Sequence, residues 1–231
     1  MGLFVADEVK EGLVTLSPDE SHHVARVLRM QVGEPIALTD GKGTFGNGTI
    51  VHISNKKVGV QIESLSIQPK NEPIVHLYVS PTRTTERTEW LIEKATELGC
   101  TSICLLICHR TARRNINLDR YEKIAIAAAK QSLNCYFPEI KLITNSKEAF
   151  QSGLGVKYIA TCFGEGRLAP TAWPVNSTEY SLFIGPEGDF TTEEAEAAIA
   201  YGCIPISLGN LRLRTETAAI VGISHLRLKS Y

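Results

Sequence analysis

Two segments of this chain share one grammar, and together they constrain its fold more than any other feature. In the first, Ser181-Leu182-Phe183-Ile184 runs into Gly185-Pro186-Glu187-Gly188-Asp189-Phe190, and Thr191 follows. In the second, Ile206-Ser207-Leu208 runs into Gly209-Asn210-Leu211-Arg212-Leu213-Arg214, and Thr215-Glu216-Thr217-Ala218 follows. Each is a short apolar run, read as a buried strand, then a glycine-bearing loop, then a helix start. Two such strand ends bring backbone donors and acceptors together at the carboxyl edge of a sheet, where open α/β folds bind small ligands. Neither loop has the glycine spacing of a dinucleotide fingerprint, and neither ends in the Gly-Lys-Ser/Thr of a phosphate loop. The ligand expected at this edge therefore need not carry phosphate.

The rest of the second half fits that reading. Strands are predicted over 74–79, 102–108, 158–162, 181–184 and 204–208. Helices are predicted over 86–98, closed by Gly99; from Leu118 to about Leu133; from a Thr191/Glu194 capping box to Gly202; and from Thr215 to about Lys229. Alternation of this kind predicts a largely parallel sheet. Residues 1–70 differ: short alternating strands, with turn signals at Asp40-Gly41-Lys42-Gly43 and around Asn55-Lys56, and one helix. Ser17-Pro18-Asp19-Glu20 has capping-box spacing with proline at the first helical position. That helix is expected to reach about Arg29, burying Val24, Val27 and Leu28 and presenting His22, Arg26 and Arg29 on another face. The pattern suggests a small β-barrel with one helix. Gln68-Pro69-Lys70-Asn71-Glu72-Pro73, polar and with two prolines, divides a domain over 1–70 from one over 73–231.

Charge is informative in its distribution rather than its sum. The formal net charge is -1, which excludes a globally basic nucleic-acid binder. Locally, Arg110, Arg113, Arg114 and Arg120 cluster around the single acid Asp119, and Arg83 and Arg87 lie one helical turn apart. Such clusters are usually solvated surface, but four arginines over eleven residues of apparent loop favour phosphate contact. No apolar run reaches the length of a membrane span, and no signal peptide is recognisable, so a cytoplasmic protein without a membrane partner is expected. Cys100, Cys104 and Cys108 make an even ladder that invites an iron–sulfur reading. A radical enzyme wants a C-x3-C-x2-C loop, whereas both gaps here are three and two of the thiols fall in a predicted buried strand. These three, with Cys135, Cys162 and Cys203, are read as free core thiols, and no metal is expected.

The two glycine loops resemble the cofactor loops of the SPOUT class of RNA methyltransferases, and most closely the ribosomal RNA small-subunit uridine-N3 methyltransferases (the RsmE type). In that family the first loop reads Ile-Gly-Pro-Glu-Gly-Gly-Phe, matched over 184–190 except for Asp189 in place of glycine. The second ends Leu-Arg-Thr-Glu-Thr-Ala, matched fully over 213–218. The likeness extends to His22-His23-Val24 with Val27-Leu28-Arg29, to the segment 93–99, and to Gln131-Ser132. It departs at Leu3, where an arginine is usual before Phe4, at Asn134 and Cys135 after Gln131-Ser132, and at Leu211.

The resemblance implies an α/β, parallel-sheet SPOUT domain tied in a trefoil knot, preceded by a PUA-like RNA-binding β-barrel. It implies a homodimer acting on small-subunit ribosomal RNA with S-adenosylmethionine and no metal. The cofactor site it implies comprises Thr161, Cys162, Gly185, Pro186, Glu187, Gly188, Leu208, Gly209, Leu213, Arg214 and Thr215. The RNA-binding set comprises His22, Arg26, Arg29, Arg83, Arg87, Lys94, Arg110, Arg113, Arg114 and Gln131. Uridine N3 is protonated at neutral pH, so the reaction needs a proton acceptor or a cation that stabilises the uridine anion. Arg214 is the expected stabiliser and Glu216 the expected acceptor. Two other readings of these residues stay open: Glu216 as a helix-start acid favoured by the helix dipole, and an Arg214–Glu216 ion pair. The competing account is a noncatalytic RNA-binding or ribosome-assembly protein that keeps the fold.

Overall fold

The computed structural model, which describes residues 2–54, 57–162, 166–174 and 176–228, divides the chain into two units. One unit comprises Met1–Lys70 with Ala127–Phe137, the other Asn71–Ile126 with Pro138–Tyr231. Asn55, Lys56 and Lys229, which figure in the predicted turn and last helix, lie outside the described residues.

The first unit is built on a five-stranded sheet. Its strands are β1 (Leu3–Val5), β2 (Gly12–Thr15), β3 (Pro35–Thr39), β4 (Thr44–Ile53) and β5 (Val58–Ile67), in the order β1-β3-β4-β5-β2. β1 runs parallel to β3, and the other neighbours are antiparallel. Phe4, Val24, Ile36, Leu38, Ile50 and Val60 fill its core. Helix α1 (Pro18–His22) is shorter than expected and passes into a π-helical turn over His23–Val27. The wider turn rotates the following side chains off the predicted face. Val24 is buried, but Val27 is 59% and Leu28 49% exposed, and Arg29 sits outside the helix at φ 54. The capping box is half made: Ser17 Oγ accepts from the Glu20 N–H at 3.3 Å, while the Glu20 carboxylate turns to Lys130 at 2.5 Å. Residues 127–137 join this unit through Cys135, packed on Leu3 and Ala37, and through the Tyr136 hydroxyl, which donates to Gln68 O at 2.9 Å. Gly41 and Gly43, both at positive φ, leave room for the Phe137 and Tyr136 rings that a Cβ would strike.

The second unit is a six-stranded sheet with every neighbouring pair parallel. Its strands are β6 (Ile74–Val79), β7 (Ser102–Leu106), β8 (Glu139–Ile143), β9 (Val156–Ala160), β10 (Glu179–Ile184) and β11 (Ile204–Ile206), in the order β11-β9-β10-β6-β7-β8. Helices α2 (Thr85–Glu97), α3 (Leu118–Gln131) and α6 (Thr215–Leu228) contribute to the core on one face, with Leu77, Leu91, Ile103, Tyr158, Leu182 and Ile223. On the other face α4 (Ser146–Ser152) and α5 (Thr192–Ala200) pack with Tyr78, Leu106, Phe150, Ile159 and Phe183. Strands covered on both faces read as continuous apolar runs, which is how most of them were recognisable. β8 and α4 went unpredicted, because edge strand β8 carries Glu139 and Lys141 and breaks the apolar run.

Helix ends follow local chemistry. Gly99, at φ 76, follows α2; Thr191 and Glu194 make a reciprocal capping box at α5; and Gly202, at φ 83, follows α5. The buried Arg227 anchors the far end of α6, its guanidinium donating to the carbonyls of Pro73, Leu98 and Gly99. Those bonds fix α6 against the end of α2 and the start of β6.

Candidate functional site

β11, β9 and β10 are adjacent and parallel, so the three loops that leave their carboxyl ends converge on one edge of the second unit. A cavity opens among them. Thr161, Cys162 and Arg167 line it after β9; Gly185, Pro186, Glu187 and Asp189 after β10; Ser207, Leu208, Gly209, Leu211 and Leu213 after β11. Ala160, Ile184 and Ile206 from the strand ends line it too, with Thr215 and Ala218 of α6. The two motifs separated by more than twenty residues in sequence thus line a single recess.

The loop after β10 is tied to each of its neighbours. Glu187 Oε1 accepts from the Arg83 N–H at 2.9 Å, in the loop after β6. Gly188 O accepts from Arg110 Nη1 at 2.7 Å, in the loop after β7. Asp189 Oδ2 accepts from the Cys162 N–H at 2.6 Å and from Thr161 Oγ1 at 3.2 Å, in the loop after β9. Thr215 Oγ1, at the start of α6, donates to Gly185 O at 3.2 Å. Three consecutive residues therefore hold three different loops, and the cavity wall is built from backbone groups fixed by hydrogen bonds. Gly185 is closely packed: a Cβ there would come within 3.1 Å of Phe190. Gly209 is needed for conformation: it sits at φ 123, with nothing within 4 Å of a Cβ. Cys162 is the exposed thiol, and partial desolvation, then the Asp189 carboxylate beside it, push its pKa above the usual thiol value.

A second recess lies on the other side of the α6 start. Glu86, Arg87 and Trp90 of α2 line it with Arg214, Glu216 and Thr217. Glu216 is 7% exposed, and its ion partner is Arg87, with Nε 3.7 Å from Oε1. The sequence left an Arg214–Glu216 pair open; Arg214 and Glu216 share this recess, but the ion pair is made by Arg87.

Of the eleven residues expected to bind cofactor, nine line the cavity; Gly188 lies in the β10 loop without lining it, and Arg214 lines the second recess. The expected RNA-binding residues are dispersed. His22, Arg26, Arg29 and Gln131 are exposed in the first unit. In the second unit, Arg110 and Arg114 donate to backbone carbonyls, Arg113 donates to the Tyr121 hydroxyl at 3.3 Å, and Lys94 is ion-paired with Glu93 and Glu97. Arg87 faces Glu216, and Arg83 is exposed beside Glu187. Arg167 and Ser207 line the cavity with no sequence signal beyond lying in the loops after β9 and β11, and Leu211, marked only as a departure from the family, lines it too. Asp189 was noticed only as a departure from the glycine of the motif. Cys100 packs on one face of the sheet and Cys104 and Cys108 on the other, so the ladder does not converge. Among the described residues, no group of three or more His, Cys, Asp or Glu side chains is placed to hold a metal ion.

Comparison with known proteins bears on this cavity. The model of a family described as RNA methyltransferase domain matches residues 69–227, and that of an RNA methyltransferase PUA domain matches residues 16–63. A ribosomal RNA small subunit methyltransferase E from Buchnera aphidicola is 27% identical over 219 residues, covering 92% of this chain and 86% of that protein. A solved structure from Porphyromonas gingivalis is 34% identical, covers all of both chains and superposes with a TM-score of 0.90. A ribosomal RNA small subunit methyltransferase E from Neisseria gonorrhoeae, solved bound to S-adenosyl methionine, is 27% identical over 99% of this chain and 98% of its own, with a TM-score of 0.90.

Proposed function

The chain belongs to the RNA methyltransferase family, and we propose that it transfers a methyl group from S-adenosylmethionine to N3 of a uridine in small-subunit (16S) ribosomal RNA. One observation carries this reading: the segments 184–190 and 213–218, which match the two cofactor motifs, meet at one cavity on the carboxyl edge of the sheet. Thr161, Cys162, Gly185, Pro186, Leu208, Gly209, Leu213 and Thr215 would hold the cofactor, with glycine backbone approached closely at 185 and 209. When bound, the cofactor supplies a methyl on a sulfonium, already a good leaving group, so the transfer calls for no metal.

What remains for the protein is to orient the base, exclude water and handle the N3 proton. Arg214 and Glu216 lie together in the second recess, at the start of the helix whose Thr215 and Ala218 line the cavity. In this reading Arg214 stabilises the uridine anion and Glu216 accepts the proton, with Arg87 holding the carboxylate in place. His22, Arg26 and Arg29 in the first unit contact RNA phosphate, with Arg83 and Arg113 contributing from the second. The domain boundaries of this reading are 1–70 and 73–231. The first unit acts as a PUA-like barrel, the segment from β9 to α6 is tied as a trefoil knot, and two copies pair in the cytoplasm.

Titration calorimetry of the purified protein with S-adenosylmethionine, with and without a chelator, tests the cofactor assignment. Saturable binding unaffected by the chelator is expected. No binding to the folded protein would overturn it.

A further inference from the structure

Asp189 occupies a backbone conformation that aspartate enters at a cost. Its φ is 62, in the left-handed region, and the cofactor motif carries glycine at this position. A side chain retained there needs a compensating interaction, and the carboxylate makes three. Oδ1 accepts from the Phe190 N–H at 2.8 Å, and Oδ2 accepts from the Cys162 N–H at 2.6 Å and from Thr161 Oγ1 at 3.2 Å. The last two partners belong to the loop after β9, and both line the cavity, as does Asp189 itself. The bond to Phe190 is local and shapes the turn. The bonds to Thr161 and Cys162 span 28 and 27 residues of chain and join two separate walls of the cavity.

We infer that Asp189 is a positioning residue that pre-forms the β9 wall of the cofactor cavity, replacing an ordering step that a glycine at this position would leave to the ligand. The inference rests on the reading of the cavity as the S-adenosylmethionine site. The physical basis is pre-organisation: a wall already held by hydrogen bonds loses little conformational freedom when ligand arrives, so more of the contact energy appears as affinity. Relief of the left-handed strain and loss of the tether act in opposite directions in Asp189→Gly. Stability and affinity should therefore part company in that variant.

Two variants and three measurements test this. Asp189→Gly removes strain and tether together. Asp189→Asn tolerates the same backbone conformation, and its amide oxygen in place of Oδ2 still accepts from the Cys162 N–H and from Thr161 Oγ1, losing only the local bond to Phe190. Calorimetry with S-adenosylmethionine should give an affinity lowered about tenfold or more for Asp189→Gly and within about threefold of the parent for Asp189→Asn. The melting temperature of Asp189→Gly should equal or exceed that of the parent. Without ligand, hydrogen exchange at the Cys162 amide should speed up in Asp189→Gly and stay protected in Asp189→Asn. Parent-like affinity and parent-like exchange in Asp189→Gly would overturn the inference while leaving the cofactor assignment standing. A lower melting temperature with unchanged affinity would reduce Asp189 to a turn former and also overturn it. Failure of the parent protein itself to bind would overturn the cavity reading, and this inference with it.

Discussion

Arg87 Nε lies 3.7 Å from Glu216 Oε1, joining the first turn of α2 to the first turn of α6, whose Thr215 and Ala218 line the cavity. The pair is asymmetric: the Glu216 side chain is 10% exposed and that of Arg87 43%. Such a pair, open on one side, contributes modestly to stability, about 1 kcal/mol or less. A double-mutant cycle with Arg87→Ala and Glu216→Gln is expected to show a thermal-stability coupling of that size. The kinetic effect is expected to be larger. Glu216→Gln should slow single turnover most at low pH, with partial recovery as pH rises and solvent base removes the N3 proton. A rate per folded molecule equal to that of the parent across pH would make Glu216 a structural acid only.

Arg214 shares the recess with Glu216 but does not line the cavity. Arg214→Ala is therefore expected to lower turnover by roughly 10²–10³, as loss of one preorganised electrostatic donor commonly does, with cofactor affinity unchanged. Single-turnover rates beside calorimetry separate the two quantities. Normal turnover would remove the anion-stabilising role.

The contrast between these residues shows where the sequence was legible. Covered parallel strands announce themselves as apolar runs, and glycine and threonine mark the helix ends, so the sheet and both glycine loops could be read directly, while most cavity residues came from the family resemblance. Edge strand β8, with alternating charge at Glu139 and Lys141, could not. Nor could the partner of Glu216, because Arg87 lies 129 positions away and only the packing of α2 on α6 brings it near. Asp189 illustrates the same limit: its departure from the motif was visible, but its two cross-loop hydrogen bonds depend on how the β9 and β10 loops meet. The return of residues 127–137 to the first unit likewise has no local signature in an alanine-rich helix.

Gly209 separates steric from conformational demand. With nothing within 4 Å of a Cβ and φ at 123, the obstacle to a side chain is the backbone angle rather than a clash. Gly209→Val should shift the loop after β11 and weaken cofactor binding, and Gly209→Ala should do so nearly as strongly despite its smaller volume. Calorimetry on both variants checks this. If alanine bound like the parent and only valine failed, crowding would be the cause instead.

The arginines divide into those tied to the protein and those proposed to meet RNA. Arg110 donates to the carbonyls of Gly188 and Phe190, so Arg110→Ala should lower stability by about 1 kcal/mol. Exposed Arg29 should matter for RNA instead: Arg29→Ala should flatten the salt dependence of RNA binding by about one unit of slope, with stability close to the parent's. Thermal melts and RNA titrations over a salt series check both, and an unchanged slope would make Arg29 ordinary surface.

Burial pushes the Cys104 and Cys203 thiols up to about 11 and the Cys100 thiol up to about 12, while Cys162 alone is exposed. At pH 8 the native protein should accept one equivalent of an alkylating reagent per chain, at Cys162. Because Cys162 lines the cavity, bound S-adenosylmethionine should slow that reaction. Peptide mass spectrometry identifies the modified thiol, and unprotected labelling at saturating cofactor would place the ligand elsewhere.

The most direct test of the whole account is a methyl-transfer assay with purified protein, labelled S-adenosylmethionine and small ribosomal subunits or their RNA lacking the modification, followed by nucleoside mass spectrometry. The account predicts a single new product, 3-methyluridine, formed in the presence of a chelator and abolished by heating the protein. Cofactor bound at the cavity with no methylated nucleoside formed, or methylation at a different base atom, would contradict it.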